Sequence, residues 1–371
     1  MRSRRPPVAV GVVVGLAVAL LAGACTGPAT PAWQVVTPAG VVPAALFAGP
    51  AGVFVAGQAV SDGAPVLELR AGADWRRIPA TAVTGYGRVA TFVAGAADPA
   101  GRIVLMGTAT GGAHLNPRWT AWVGDGAGVV EEPQTMETFG GPNAGGVTGV
   151  SYGADPAIVG SWTVAAGATG VALWRHRGTT WIRDPSPPAF VGSPPASTES
   201  ATAATAVGAA TVIVGLQTDL RGGAVHQRAR FWRSDGGSWS NTDLDTSGAD
   251  SAATGVACTD TECLVVGRLD GAVVAWRVIG DGLGDRVERV VLPDRAVDHF
   301  AGDPWLARDG AVTAIAIGAG SELLTSADGR AWTSAPTPAG DVRGIAVHDD
   351  TILLLLRDGT GAQQVALRPA A

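Results

Sequence analysis

An all-β, seven-bladed propeller is the fold class that three observations predict. An apolar run closed by glycine recurs along the chain, each unit between recurrences holds four short strand-like segments, and the first segment of the exported part supplies a strand that the last unit lacks. The runs are VFVAG ending at Gly57, IVLMG at Gly107, AIVG at Gly160, VIVG at Gly215, LVVG at Gly267 and IAIG at Gly318, at intervals of 50, 53, 55, 52 and 51 residues. A chain of 371 residues is long for one simple core at ~100–200 residues per domain, but repeats escape that limit because each unit packs only on its neighbours. No segment carries a convincing 3.6-residue apolar period, so the units read as strands, and repeated four-stranded units of this length are propeller blades.

In chain order, the N-terminus comes first. Arg2, Arg4 and Arg5 precede an uncharged apolar stretch over residues 8–24 that ends in small residues, the layout of an export signal. The segment LLAGAC, residues 20–25, resembles the bacterial lipobox, with Ala22 where that motif favours leucine. The resemblance implies a signal peptide over 1–24 of the Sec type and a diacylglycerol-modified Cys25 that holds the protein on the outer face of the cytoplasmic membrane. A plain membrane-spanning anchor is the alternative, since ~20 apolar residues span a bilayer. Residues 25–31 then form a short tether, and residues 32–371 the propeller.

Within each unit a further apolar segment precedes the glycine run, as in ATFVAG before IVLMG, and two more follow it, often with tryptophan: Trp174 and Trp181, Trp232 and Trp239, Thr325 and Trp332, each pair seven residues apart across one hairpin. Seven units fit this pattern, with six or eight as alternatives because the boundaries near residues 296–311 are blurred. The last unit, GIAV, TILLLL and QQVAL, has three strands. Its fourth is expected from WQVVT at residues 33–37, whose continuation TPAG is echoed at residues 337–340. Such closure removes an open sheet edge.

SADGRAW at residues 326–332, and less closely RSDGGSW at 233–239, resemble the Asp-box of sialidase-like propellers, with glycine following the aspartate directly. Together with the lipobox this gives the chain the look of an Asp-box propeller lipoprotein of bacterial, actinobacterial-like type. The resemblance implies that the aspartate caps the turn between third and fourth strands, that glycine takes a positive φ there and that tryptophan packs between blades. It implies a fold and little of function, because one fold hosts many activities.

Composition excludes some functions. Without residues 1–24 the chain keeps 23 of its 26 basic residues against 32 acids, a formal charge of −9. That balance disfavours nucleic acid as a partner. The chain is expected to be a monomer. A sialidase-like glycoside hydrolase is the catalytic alternative: Arg77-Ile78-Pro79 resembles that family's arginine-containing signature, but it falls on an outer strand, and neither Tyr86 nor Tyr152 stands at an axis-facing position with an obvious glutamate. The five histidines (114, 176, 226, 299 and 348) show no HxH or HExxH spacing, so no metal and no cofactor is expected. The loop GDGLGD, residues 280–285, lacks the alternating ligands of a calcium loop and reads as a hairpin turn.

Cys258 and Cys263 bracket the turn TDTE, and in an exported chain such a pair predicts a disulfide. Trp75, Trp181, Trp239 and Trp332 are expected to pack blades, leaving Trp119, Trp162 and Trp305 as candidate exposed binders. The longest connections, residues 107–118, 131–146, 184–200 and 215–228, all fall between second and third strands or between blades, which places them on one face. His114, Arg118, Asp219, Arg221 and His226 on that face are the candidate contacts for a protein or envelope glycan. The expected function is a non-catalytic binding or scaffolding module at the cell envelope.

Overall fold

The computed structural model describes residues 32–370, apart from 112–116, 165–167, 192–196, 221–222, 235–236, 281–284, 294–301 and 319–321. Seven antiparallel sheets follow one another along the chain. Their first strands are Val41–Gly49 in blade 1, Thr91–Ala97 in blade 2, Ala144–Tyr152 in blade 3, Ser197–Val207 in blade 4, Ser251–Cys258 in blade 5, Trp305–Asp309 in blade 6 and Asp341–His348 in blade 7. Each first strand contacts the first strand of the next blade, and that of blade 7 returns to blade 1, so these strands surround the axis. Seven blades it is; the blurred boundary resolves into blade 6.

The second strands explain the apolar runs. They lie inside their sheets and pack on both faces, so residues 53–56, 103–107 and 157–160 are buried without a break. Alternate side chains serve different interfaces: Ile213 joins a cluster between blades 3 and 4, whereas Val212 and Val214 join one between blades 4 and 5. Seven such clusters are seen among the described residues, one per interface. Between blades 1 and 2, for example, Phe47 and Phe54 meet Phe92, Ile103 and Trp122.

The recurring glycines answer to a recurring bulge. In blades 1, 4 and 5 the first strand gains one residue opposite the second strand, between Pro43 and Ala45, Ala201 and Ala203, and Ala253 and Gly255. The bulge pushes a first-strand carbonyl against the glycine that faces it. A Cβ on Gly57 would lie 2.0 Å from the oxygen of Val42, on Gly215 1.9 Å from that of Ser200, and on Gly267 2.0 Å from that of Ala252. Two of the extra residues also tie blades together. Thr202 Oγ1 donates to the Ala253 carbonyl (2.7 Å), and Thr254 Oγ1 to that of Pro304 (2.9 Å).

Ring closure is as the sequence implies. Gln34–Val35 pairs antiparallel with Gln363–Pro369, the third strand of blade 7. Val36 N donates to Val365 O, and Val365 N to Thr37 Oγ1, both at 2.8 Å. The ends of the closing segment are pinned by indoles: Trp33 Nε1 donates to Pro336 O and Trp75 Nε1 to Val36 O.

Two details differ from expectation. Blade 2 has a fifth strand, Ala80–Thr81, which leaves blade 1 and runs parallel to the outer strand Gly128–Glu132. The paired tryptophans are not cross-strand partners: Trp174 faces Arg183, and Trp181 faces His176, because the tight turn shortens the register. Both indoles still enter the cluster between blades 2 and 3.

Candidate functional site

First strands end at the face that carries the hairpins between first and second strands. There they leave an axial mouth of about 620 Å3, lined from blades 1–4, 6 and 7. Much of its wall is small or apolar, from Phe47 to Pro50, Gly95 to Ala97, and Ala204 to Ala206. Asp98 on this wall holds its own hairpin, accepting from Arg102 N (2.7 Å) and Arg102 Nε (2.6 Å). The hydrogen bond to Asp98 raises the Arg102 pKa further, and the guanidinium lies 5.2 Å over the ring of Tyr152. Tyr152 therefore does line the axis, contrary to its sequence reading, with an arginine and an aspartate beside it in place of a glutamate. Burial pushes its hydroxyl above the ordinary range.

The opposite side of the mouth is polar. Arg308, Asp309, His348 and Asp349 sit on it, contributed by the hairpins of blades 6 and 7. Arg308 turns away, its Nη1 3.2 Å from Glu262 of blade 5.

The long-loop face behaves differently. Arg118 lies at the start of the blade 2 third strand, its guanidinium 5.7 Å over Tyr86, and lines a cavity of about 270 Å3 with Thr84, Glu131 and Met136. Glu131 crosses from the outer strand to accept from the backbone N–H groups of Val83 and Thr84, which fixes the segment after the fifth strand. Asp219 and His226 are register partners at the end of the second and start of the third strand of blade 4, and both line a separate cavity of about 340 Å3 with Gln217, Arg228 and Asp243. Thus the structure joins Asp219 and His226 and places Arg118 at a second cavity two blades away. His114, Arg221 and Cys25 lie outside the described residues, as do residues 281–284 of the glycine loop and 235–236 of the second Asp-box-like turn.

Beneath the 340 Å3 cavity lies a group that sequence reasoning missed. Glu199, on the first strand of blade 4, has a side chain 0% exposed and accepts from Gln217 Nε2 at 3.1 Å. Arg230 Nη2 is 3.4 Å away and also pairs with Asp243. Burial outweighs these partners and raises the carboxyl to about 7.

The remaining expectations separate cleanly. Cys258 and Cys263 face each other across the first hairpin of blade 5 and form the disulfide. Arg77 lies on the outer strand of blade 1 and pairs with Glu68. Trp75, Trp239 and Trp332 pack against interblade clusters, as do Trp119 and Trp162, while Trp305 is 40% exposed. In the turn after the third strand of blade 6, Asp328 Oδ1 accepts from Arg330 N and Ala331 N, and Gly329 has φ +66°.

No protein-family model matches the sequence, and no curated protein matches it. Solved structures do. The β-propeller domain of Cps50 (Swd1) from Myceliophteria thermophila shares 13% identity at a TM-score of 0.56, over 91% of this chain and 99% of that one. The Hadza microbial sialidase Hz136 shares 12% at 0.53, over 84% and 75%, and the WD40 propeller of Doa1 11% at 0.51, over 90% and 96%. At such identities the likeness is one of fold alone, and one fold hosts many activities.

Proposed function

We propose that the chain is an exported, lipid-anchored propeller that acts as a non-catalytic binding or scaffolding module at the cell envelope. The observation that carries this reading is the chemistry of the axial mouth. A hydrolase of the sialidase kind needs a tyrosine made nucleophilic by a carboxylate and arginines free to hold an acidic substrate. Here Tyr152 is shifted away from phenolate, Arg102 is committed to Asp98, Arg308 to Glu262, and Arg77 stands on an outer strand. The disulfide supports an oxidising compartment, where such bonds persist.

Recognition is assigned to the long-loop face, with Asp219 and His226 at one cavity and Arg118 at the other; the assignment extends to His114 and Arg221 from the sequence alone. Cys25 carries the lipid on this reading, since it ends the lipobox-like LLAGAC segment, and a diacylglycerol there supplies the two chains that stable anchoring takes. The test is palmitate labelling of the full chain with fractionation, followed by site-specific photo-crosslinking from positions 118 and 226 in intact cells. Labelled, membrane-bound protein that becomes soluble or unprocessed in Cys25→Ser is the expected result. Mature protein that stays membrane-bound without label overturns the anchor. Crosslinked partners unaffected by alanine at the remaining candidate residues, with unchanged melting, overturn the assigned face.

A further inference from the structure

The polar side of the axial mouth carries three metal-ligating side chains from two blades. Asp309 closes the first strand of blade 6, His348 closes that of blade 7, and Asp349 begins the turn that follows it. One ligand atom from each lies within 4.8 Å of the others. We propose that Asp309, His348 and Asp349 form a binding site for a divalent transition cation of the zinc or manganese class, opening onto the axial cavity.

Geometry supports it first. Cations of this class sit ~2.0–2.2 Å from imidazole nitrogen and carboxylate oxygen, so ligand atoms around one ion lie ~3–4 Å apart. His348 Nδ1 is 3.7 Å from Asp309 Oδ2, while Asp349 Oδ2 lies 3.2 Å from the other ring nitrogen, Nε2, so an ion held by Nδ1 and Asp309 requires the Asp349 carboxylate to swing across to it. Asp349 is 87% exposed and His348 22%, so the carboxylate that must move has room while the imidazole is held. Its neighbour is also set in place: Asp349 N donates to Asp309 Oδ2 at 3.1 Å.

Charge supports it independently. Two carboxylates face one imidazole, and among the described residues His348 is the sole basic partner that either aspartate has in an ion pair. The adjacent arginine is drawn off by Glu262, which also takes Arg277 (2.9 Å). Across the mouth, Asp98 adds negative charge that Arg102 already balances. The mouth therefore concentrates uncompensated anionic oxygen beside a nitrogen ligand, the donor set suited to zinc or manganese. Three protein ligands leave coordination positions directed at the 620 Å3 cavity, where water or an anionic oxygen of a ligand completes the shell. This inference is independent of the lipid anchor and of the long-loop face.

The experiment is equilibrium dialysis of the untagged, detergent-purified full chain against Zn2+ and, separately, Mn2+, with His348→Ala and Asp349→Ala in parallel and melting curves with and without metal. The expected result is one equivalent per chain in the wild type, a melting temperature raised by the metal, and affinity lowered roughly tenfold or more in each variant. Asp349 takes a φ of +45°, which alanine tolerates poorly, so Asp349→Asn is run beside the alanine variants and guards against a folding failure in them. Absence of stoichiometric binding, or binding by all three variants as tight as the wild type, overturns the site.

Discussion

Glu199 shows how a single residue sets a pH response. Its folded pKa, near 7, lies above the ordinary value of 4.5, so between those values the folded state holds a proton that the unfolded state has released. Stability is then fully present below the lower value and falls as pH rises through the higher, by on the order of 3 kcal/mol if no other group intervenes. Glu199→Gln keeps the shape and the acceptor for Gln217 and has no charge to bury. Denaturant unfolding of this variant at pH 5 and pH 8 is expected to show a smaller loss across the interval than the wild type; equal losses count against the shift. Gly215 makes a steric case of the same kind. A Cβ 1.9 Å from Ser200 O cannot be accommodated without moving the bulge, so Gly215→Ala should cost ~1–3 kcal/mol in unfolding free energy. Stability within a few tenths of wild type shows that the bulge yields.

At the scale of strands, the sequence is most legible where one constraint repeats. Second strands such as Ile103–Thr110 are buried on both faces and so read as apolar runs, and in blades 1, 3, 4 and 5 a first-strand carbonyl leaves room only for the glycine that faces it, whereas blade 7 sets Leu356 opposite its bulge. The fifth strand of blade 2 is not legible, because Ala80 and Thr81 carry no periodic signal and are recruited by the edge that Val129 and Val130 present. The hairpin of blade 5 was legible from its cysteines alone. Closing a loop of this length constrains the unfolded chain by about 2 kcal/mol in the chain-entropy account. Replacing Cys258 and Cys263 together by alanine and serine should therefore lower the unfolding free energy by about that amount, and an unchanged denaturation midpoint would show that the sheet registers the hairpin without the bridge.

On the scale of the whole molecule, the ring brings together what the sequence separates. Asp309 and His348 are distant in the chain with no motif between them, and only closure of blade 7 against blade 6 makes them neighbours. Glu199 and Arg230 escape sequence reading for a related reason, since their pairing depends on burial beneath a cavity. The sequence placed Asp219, His226 and Arg118 together on one face; Asp219 and His226 do share a cavity, whereas Arg118 lines another because two blades intervene. The backbone part of closure rests on few contacts: two paired residues, Gln34 and Val35, the bond from Val36 N to Val365 O and that from Val365 N to Thr37 Oγ1. Val36→Pro removes that donor and disfavours the extended pairing around it. The third strand of blade 7 would then expose an unpaired edge, which is a template for association between chains. The expected outcome is a melting temperature lower by a few degrees, with light scattering of the detergent-solubilised chain showing concentration-dependent oligomers that the wild type lacks. A variant that melts as the wild type does and stays monodisperse would mean that the indoles of Trp33 and Trp75, bonded to Pro336 and Val36, suffice to hold the ring closed.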